Sequence, residues 1–288
     1  MNVSNPAVTT PAATAKRGRF GIGWAAGRIT VRMISYTWLI VGLILLWQWR
    51  SHTNPSLFIP APSEIWSRFH DVWFSGGARN LFTTDAFRHH VGSSLGRWLR
   101  GYVAASVGGV VLGTVLARNK RLNWMFQPLI RLALSTPSIM LLPLAIILIG
   151  INDMMTTSVI IYATFWPVLV NTIDGVSSVD QTTIDSARAL RMSGVRLFRQ
   201  VLLRAASPQI LAGLRVALGV SIILMVGSEL YAATEGVGFY ITLAERTLRF
   251  TDMFAGIMMA ALIGLVANGL FFLVERRLMR WKPKIRED

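Results

Sequence analysis

Six stretches of this chain are long and apolar enough to cross a hydrocarbon core about 30 Å thick, a distance that takes about 20 helical residues. They lie near 32–50 (RMISYTWLIVGLILLWQWR), 98–117, 127–150, 154–175, 208–232 and 252–275. Nothing else in the sequence constrains the fold as strongly. In a bilayer every backbone N–H and C=O has to be satisfied within its own segment, so each stretch must be a helix. Composition agrees: 53% of the 288 residues are hydrophobic, 15% are charged and the mean hydropathy is +0.50, which is outside the balance of soluble domains. The expectation is an all-α polytopic membrane protein with six transmembrane helices over 32–276. A polar, basic tail over 1–31 (Lys16, Arg17, Arg19, Arg28) precedes them and a second tail, 277–288, follows. No small-residue cleavage site follows the first apolar run, so that run reads as a retained span.

The placement of Lys and Arg orients the spans. With both termini in the cytoplasm, the inner side receives the N-terminal tail and the ARNKRLN loop (Arg118, Lys120, Arg121). It also receives a polar stretch carrying Arg188, Arg191, Arg196, Arg199 and Arg204, and the C-terminal ERRLMRWKPKIRED. The outer side receives the GINDM turn, without a basic residue, and the 233–251 connection with Arg246 and Arg249. The 51–97 connection is the exception, with Arg68, Arg79, Arg88 and Arg97. Most of the formal charge of +15 thereby faces anionic lipid headgroups, and nucleic-acid binding is not needed to explain it. Cysteine is absent, which excludes disulfides and thiolate-bound metals. His52, His70, His89 and His90 all fall between the first two apolar segments. Adjacent on a helix, His89 and His90 would point about 100° apart and could not chelate as an i, i+4 pair does. They read as loop histidines, and no metal site is expected.

Two spans carry small residues at a spacing of four, Gly101, Ala105, Gly109, Gly113, Ala117 and Gly256, Ala260, Gly264. Such stripes let helix backbones approach closely. In the third span Pro137 and Pro143 each remove a helical hydrogen bond and predict a kink. Ser135, Thr136, Pro137 and Ser138 are therefore candidates for a pathway wall, where freed carbonyls meet water. Glu229, near the outer end of the fifth span, is an ionisable group at membrane depth and reads as functional. It can snorkel, pair with a basic residue of the outer loops such as Arg246 or Arg249, or line a cavity. Asn171, Ser221 and Ser228 are further pathway candidates, with helix-packing hydrogen bonds as the alternative for each.

Between the fourth and fifth spans, 177–206, the hydrophobic pattern stops: VDQTTIDSARALRMSGVRLFRQVLLRAASPQILAGLR runs from Val179. Asp180 suits a helix cap, Asp185 a first turn, and Ile184, Ala187 and Leu190 recur at i, i+3, i+6 until Ser193-Gly194. A second helix is expected from about Val195, with Phe198, Val201, Leu202 and Ala205 on one face, Arg196, Arg199 and Gln200 opposite, and Leu203 on the polar side. These residues fit two roles. One is an amphipathic helix on the inner leaflet; the other is a compact knob offered to a soluble partner.

The same stretch resembles the "EAA" cytoplasmic loop of bacterial ABC-type importer permeases, whose pattern is Glu-Ala-Ala, three residues, Gly, nine residues, Ile-x-Leu-Pro. FIPAPSEIW, GINDMMTTSVIIYATFWPVLVNTIDGV, SARAL, ILAGLRVALG and ERRLMRW are similar to the subgroup serving aliphatic sulfonates, taurine, nitrate and bicarbonate. The resemblance runs from about Phe58 to Trp281. It implies the type I ABC importer permease fold with a cytoplasmic coupling helix, here Ile184, Asp185, Ser186, Ala187, Leu190, Arg191 and Gly194. Asp185-Ser186-Ala187 stand where the family has Glu-Ala-Ala, Arg191 where it has Gly, and Arg204 where it has Pro. Arg191 is the severe departure, because it replaces a residue that permits close approach or positive φ. Gly194 is expected to take over the turn, and Pro208 to end the second helix.

The resemblance also implies a translocation pathway for a small anion, driven by a dimer of separate ATPase subunits that bind ATP and Mg. No GxxxxGK[ST] loop occurs in this chain, so ATP hydrolysis is not expected of it. A second copy of the permease around a two-fold axis, a periplasmic or lipid-anchored substrate-binding protein and membrane lipid complete the implied partners, in the inner membrane of a bacterium. Two other classes compete. An intramembrane enzyme would need a paired constellation inside the spans, and no histidine lies there. A membrane scaffold or sensor would account for the altered loop without transport.

Overall fold

A computed structural model describes residues 38–77 and 83–280. The tail 1–31, the start of the first expected span and most of the tail 277–288 lie outside the described residues. Every regular element described is helical. Residues 38–53 form one helix, α1, in a unit that ends at Pro55; the second unit, from Ser56 onward, holds the remaining helices.

Four helices of the second unit are long and apolar enough to cross a membrane. The first is Phe87–Arg118, a π turn (Phe87–Val91) running into α3 (Gly92–Arg118). The second is α6 (Asp153–Ser177). The third, Gly194–Ala232, joins α8 (Gly194–Leu197), a π turn (Phe198–Leu202) and α9 (Leu203–Ala232). The fourth is α11 (Phe250–Leu278).

The kink expected in the 127–150 segment is a full break of the helix. Helix α4 (Lys120–Ser135) and the pair made of a 3-10 turn (Ser138–Leu141) and α5 (Leu142–Ile149) meet at 90°. The two prolines act differently. Thr136, which precedes Pro137, is extended (φ −86°, ψ 117°), as the clash with a following proline ring requires, and α4 stops there. Pro143 sits in the first turn of α5, where its missing N–H would have had no partner. One proline breaks the segment and the other begins a helix.

The glycine stripe of α3 sets the packing. A Cβ on Gly101 would lie 2.7 Å from Ile160, on Gly109 2.9 Å from Val168, and on Gly113 2.8 Å from Thr172. The rising pairs show that α3 and α6 run parallel with backbones in close approach. Helix α9 returns antiparallel: a Cβ on Gly213 would lie 2.4 Å from Asn171 and one on Gly175 2.9 Å from Gln209. The second stripe divides, since Gly256 packs on Ile241 while Gly264 faces open space. In the 51–97 connection an amphipathic helix, α2 (Pro62–Trp73), buries Ile65, Phe69 and Trp73 one turn apart. Trp73 stacks edge-on against Tyr240, centroids 4.9 Å apart, and its indole N–H donates to the Ala255 carbonyl (3.3 Å). All four histidines are helical, against the loop placement expected of them.

Candidate functional site

The polar interruption folds as a knob at the end of the bundle where α3 and α6 finish. Helix α7 (Gln181–Ala189) begins at Asp180, whose carboxylate accepts the Thr182 amide (3.2 Å) and hydroxyl (2.7 Å). These bonds hold its pKa below the ordinary value. Ala187, Leu197 and Leu202 form a small core under it, with Ile184 and Phe198 packed alongside.

The turn out of α7 is a Schellman motif centred on Arg191. The Arg191 amide donates to the Arg188 carbonyl (2.8 Å) and the Met192 amide to that of Ala187 (3.2 Å), with Arg191 at φ 52°. Gly194 does not take over the turn. It opens α8 behind the Ser193 cap, whose hydroxyl accepts the Arg196 amide (3.4 Å). The long cation itself occupies the left-handed position. Leu190 and Val195, on either side of it, are 78% and 72% exposed. Leu190 therefore points outward and leaves the face it was expected to share with half-buried Ile184 and buried Ala187, while Asp185, Ser186, Arg191 and Gly194 are exposed.

Three further expectations about the knob are corrected. The second helix buries Leu197, Leu202 and Ala206, with Ala205 exposed, because the π turn at Phe198–Leu202 inserts one residue and shifts the register. Leu203 packs against Val176, Ala206 and Ile210 instead of sitting on the polar side. Pro208 lies inside α9 and does not end it. The carbonyl it would have bonded, that of Arg204, accepts the Ser207 hydroxyl instead (2.8 Å), which re-satisfies the freed backbone group.

At the opposite end of the bundle a buried ion cluster surrounds Glu229, whose partner is neither Arg246 nor Arg249. Arg249 bonds Asp252 (3.1 Å). Glu229 accepts from Arg97 (2.8 Å), the Ser94 hydroxyl (2.8 Å) and the Gly238 amide (3.0 Å). Arg97 also donates to Asp153 (2.7 Å) and to the Glu235 carbonyl (2.8 Å). One guanidinium thus ties the starts of α3 and α6, the end of α9 and the turn into α10 (Val237–Arg246). Gly236, at φ 122°, completes that turn; a Cβ there would lie 2.5 Å from the Glu229 carboxylate. Ser94, Arg97, Asp153 and Glu235 are not legible as a site in the sequence. The one signal pointing to them is the excess of arginine in a connection assigned to the outer side.

Of the pathway candidates, Ser221 accepts the Trp98 indole N–H (2.8 Å) and donates to the Leu218 carbonyl (2.7 Å). Ser228 donates to the Met225 carbonyl (3.0 Å). Asn171 donates to the Pro167 carbonyl (2.8 Å) and accepts from Gln209 (3.1 Å). These residues and Glu229 make contacts within and between helices. Ser135, Thr136, Pro137 and Ser138 are exposed or half-buried at the 90° break.

The family model described as "Binding-protein-dependent transport system inner membrane component" matches residues 109–280, from the middle of α3 through the knob to the end of α11. A Bacillus subtilis (strain 168) protein named for aliphatic sulfonates transport, permease SsuC, is 27% identical over 97% of this chain and 95% of its own. The taurine transport system permease protein TauC of Escherichia coli (strain K12) is 30% identical over 80% of this chain and 82% of its own. The bicarbonate transport system permease protein CmpB of Synechococcus elongatus is 29% identical over 84% and 87%. With more than half its length matched and every long helix but α1 included at least in part, this chain belongs to the family of binding-protein-dependent transport system inner membrane components.

Proposed function

We propose that this chain is the pathway-forming permease of an ATP-driven importer for a small oxyanion, of the sulfonate, taurine, nitrate or bicarbonate kind. The observation that carries the reading is the knob: Leu190 and Val195 stand exposed within the family-matched region, flanking a rigid turn, where a bundle needs no apolar side chains of its own. They are the groups to enter a groove on an ATPase subunit. Two ATPase subunits closing on ATP draw two knobs together, and the spans of two permease copies rock between inward- and outward-open states. A binding protein delivers the anion at the end holding Arg97 and Glu229. That end faces the periplasm, and the knob and both termini face the cytoplasm.

Reconstitution with a partner ATPase subunit and a substrate-binding protein tests the reading. Vesicles are expected to accumulate at least one of taurine, an alkanesulfonate, nitrate or bicarbonate, and to do so only with ATP and the binding protein both present. A complex that hydrolyses ATP but accumulates none of these anions overturns it. Orientation has its own check in a chain free of cysteine. Ser177→Cys is expected to react with an impermeant maleimide only from the cytoplasmic side, and Asn152→Cys only from the periplasmic side. Labelling of both from one side refutes the assignment.

A further inference from the structure

Helix α4 carries a polar stripe. Asn123, Gln127, Arg131 and Ser135 recur at every fourth position, so they stack along one face, and the Gln127 amide donates to Asn123 (3.4 Å). The helix packs on the bundle through other residues, with Ile130 and Ala133 buried. Met125, Leu129 and Leu132 give it a third, exposed apolar face. Arg131 is exposed, and no ion pair joins it to a carboxylate among the described residues.

Two independent features converge there. Arg131 lies eleven residues from Lys120, about 16 Å along the helix, roughly half the hydrocarbon thickness. With α4 running into the membrane as the first half of the broken span, an unpaired guanidinium at that depth is costly against lipid and is found where water reaches it. The stripe also leads into the break at Ser135–Ser138, and non-helical backbone at membrane depth is tolerated where it lines a cavity or is covered by protein. Arg131, Gln127 and Ser135 line one open hollow of about 930 Å³ together with Trp124, Met125 and Leu132. The Ser135 and Thr136 hydroxyls are both spent on the Leu132 carbonyl (2.9 Å each). That leaves the guanidinium as the strongest free donor of the hollow.

We propose that Arg131 is the anion-selecting residue of the translocation path. Its planar fork takes two oxygens of a sulfonate, carboxylate, nitrate or bicarbonate group as the solute passes the broken helix, and Gln127 and Ser135 keep the stripe wet. This rests on the importer reading above. The competing arrangement is a helix lying along the inner membrane surface, with Arg131 among headgroups.

The test uses the reconstituted complex of permease, ATPase and binding protein. Wild-type uptake comes first, because its absence refutes the importer reading and not the role of Arg131. Given uptake, Arg131→Gln is expected to reduce it about tenfold or more, on the scale of one lost charge-assisted fork, with the ATPase still co-purifying and Arg131→Lys intermediate. Arg131→Cys is expected to react with a small hydrophilic thiosulfonate. A cationic reagent should restore part of the uptake and an anionic one should not. Three results would each place Arg131 outside the path and overturn the proposal: uptake by Arg131→Gln within about twofold of wild type, an introduced thiol closed to hydrophilic reagents, or equal rescue by both reagents. So would a Gln or Lys variant that fails to assemble while the Cys variant assembles and transports normally.

Discussion

Arg97→Ala is expected to destabilise the helix bundle by about 3–5 kcal/mol, the scale for removing one partner of a buried ion pair. Arg97 is 2% exposed and the Glu229 side chain is fully buried. Without the guanidinium, Glu229 keeps the Ser94 hydroxyl and the Gly238 amide, two neutral donors for a carboxylate buried from solvent. The starts of α3 and α6 also lose their link, because the same side chain bonds Asp153. Thermal unfolding in detergent should show a melting temperature lower by about 6–20 °C, at about 2–4 °C per kcal/mol for a body of this size. Glu229→Gln, which keeps the shape and one accepting oxygen and leaves Arg97 facing Asp153, is expected to cost less than Arg97→Ala, though its amide N–H2 then meets a donor at the other position. An Arg97→Ala protein that melts within about 2 °C of wild type would show that the cluster is not what joins these four elements.

Arg191→Glu is expected to lose the ATPase. The left-handed conformation of Arg191 costs an L-residue about 1–2 kcal/mol relative to glycine, so Arg191→Gly should leave the permease as stable or more so. That a long cation stands there fits a role outside the fold, beside the exposed Leu190 and Val195. On the proposed docking, a reversed charge would face the carboxylate that pairs with Arg191 in the groove, with little water between the two. Co-purification of the ATPase is then expected to fall about tenfold or more, the equivalent of 1.4 kcal/mol, with Arg191→Gly affected less. A helix that merely lay on lipid would lose about 1 kcal/mol of headgroup attraction and keep its partner. Full retention of the ATPase by Arg191→Glu, at wild-type transport, rules out the docking role.

Much of the architecture was legible from residues alone, and for a local reason. The bilayer obliges each apolar segment to satisfy its own backbone, so length and hydropathy suffice to place α3, α6, α9 and α11. The Asp180 cap and the Gly101–Gly113 stripe are likewise carried by residues close in sequence, whereas the oddity of Arg191 showed only through the family resemblance. Local context already failed at the prolines. Pro137 and Pro143 look equivalent as helix breakers, yet one ends α4 and the other opens α5. The π turn at Phe198–Leu202 left no trace in the periodicity, although it moves burial from Ala205 to Ala206.

Which polar groups meet was decided only by tertiary structure. Glu229 had several arginines within reach of any reasonable guess, and its partner stands 132 residues away, at the head of another span. Asn171, Ser221 and Ser228 turned inward to helix contacts, whereas Arg131 was left facing out of the bundle. A side chain's period along a helix says that it shares a face with its fourth neighbour. What that face touches depends on how parallel α3 and α6 and antiparallel α9 are brought together by glycine contacts between distant residues, and no local pattern contains that.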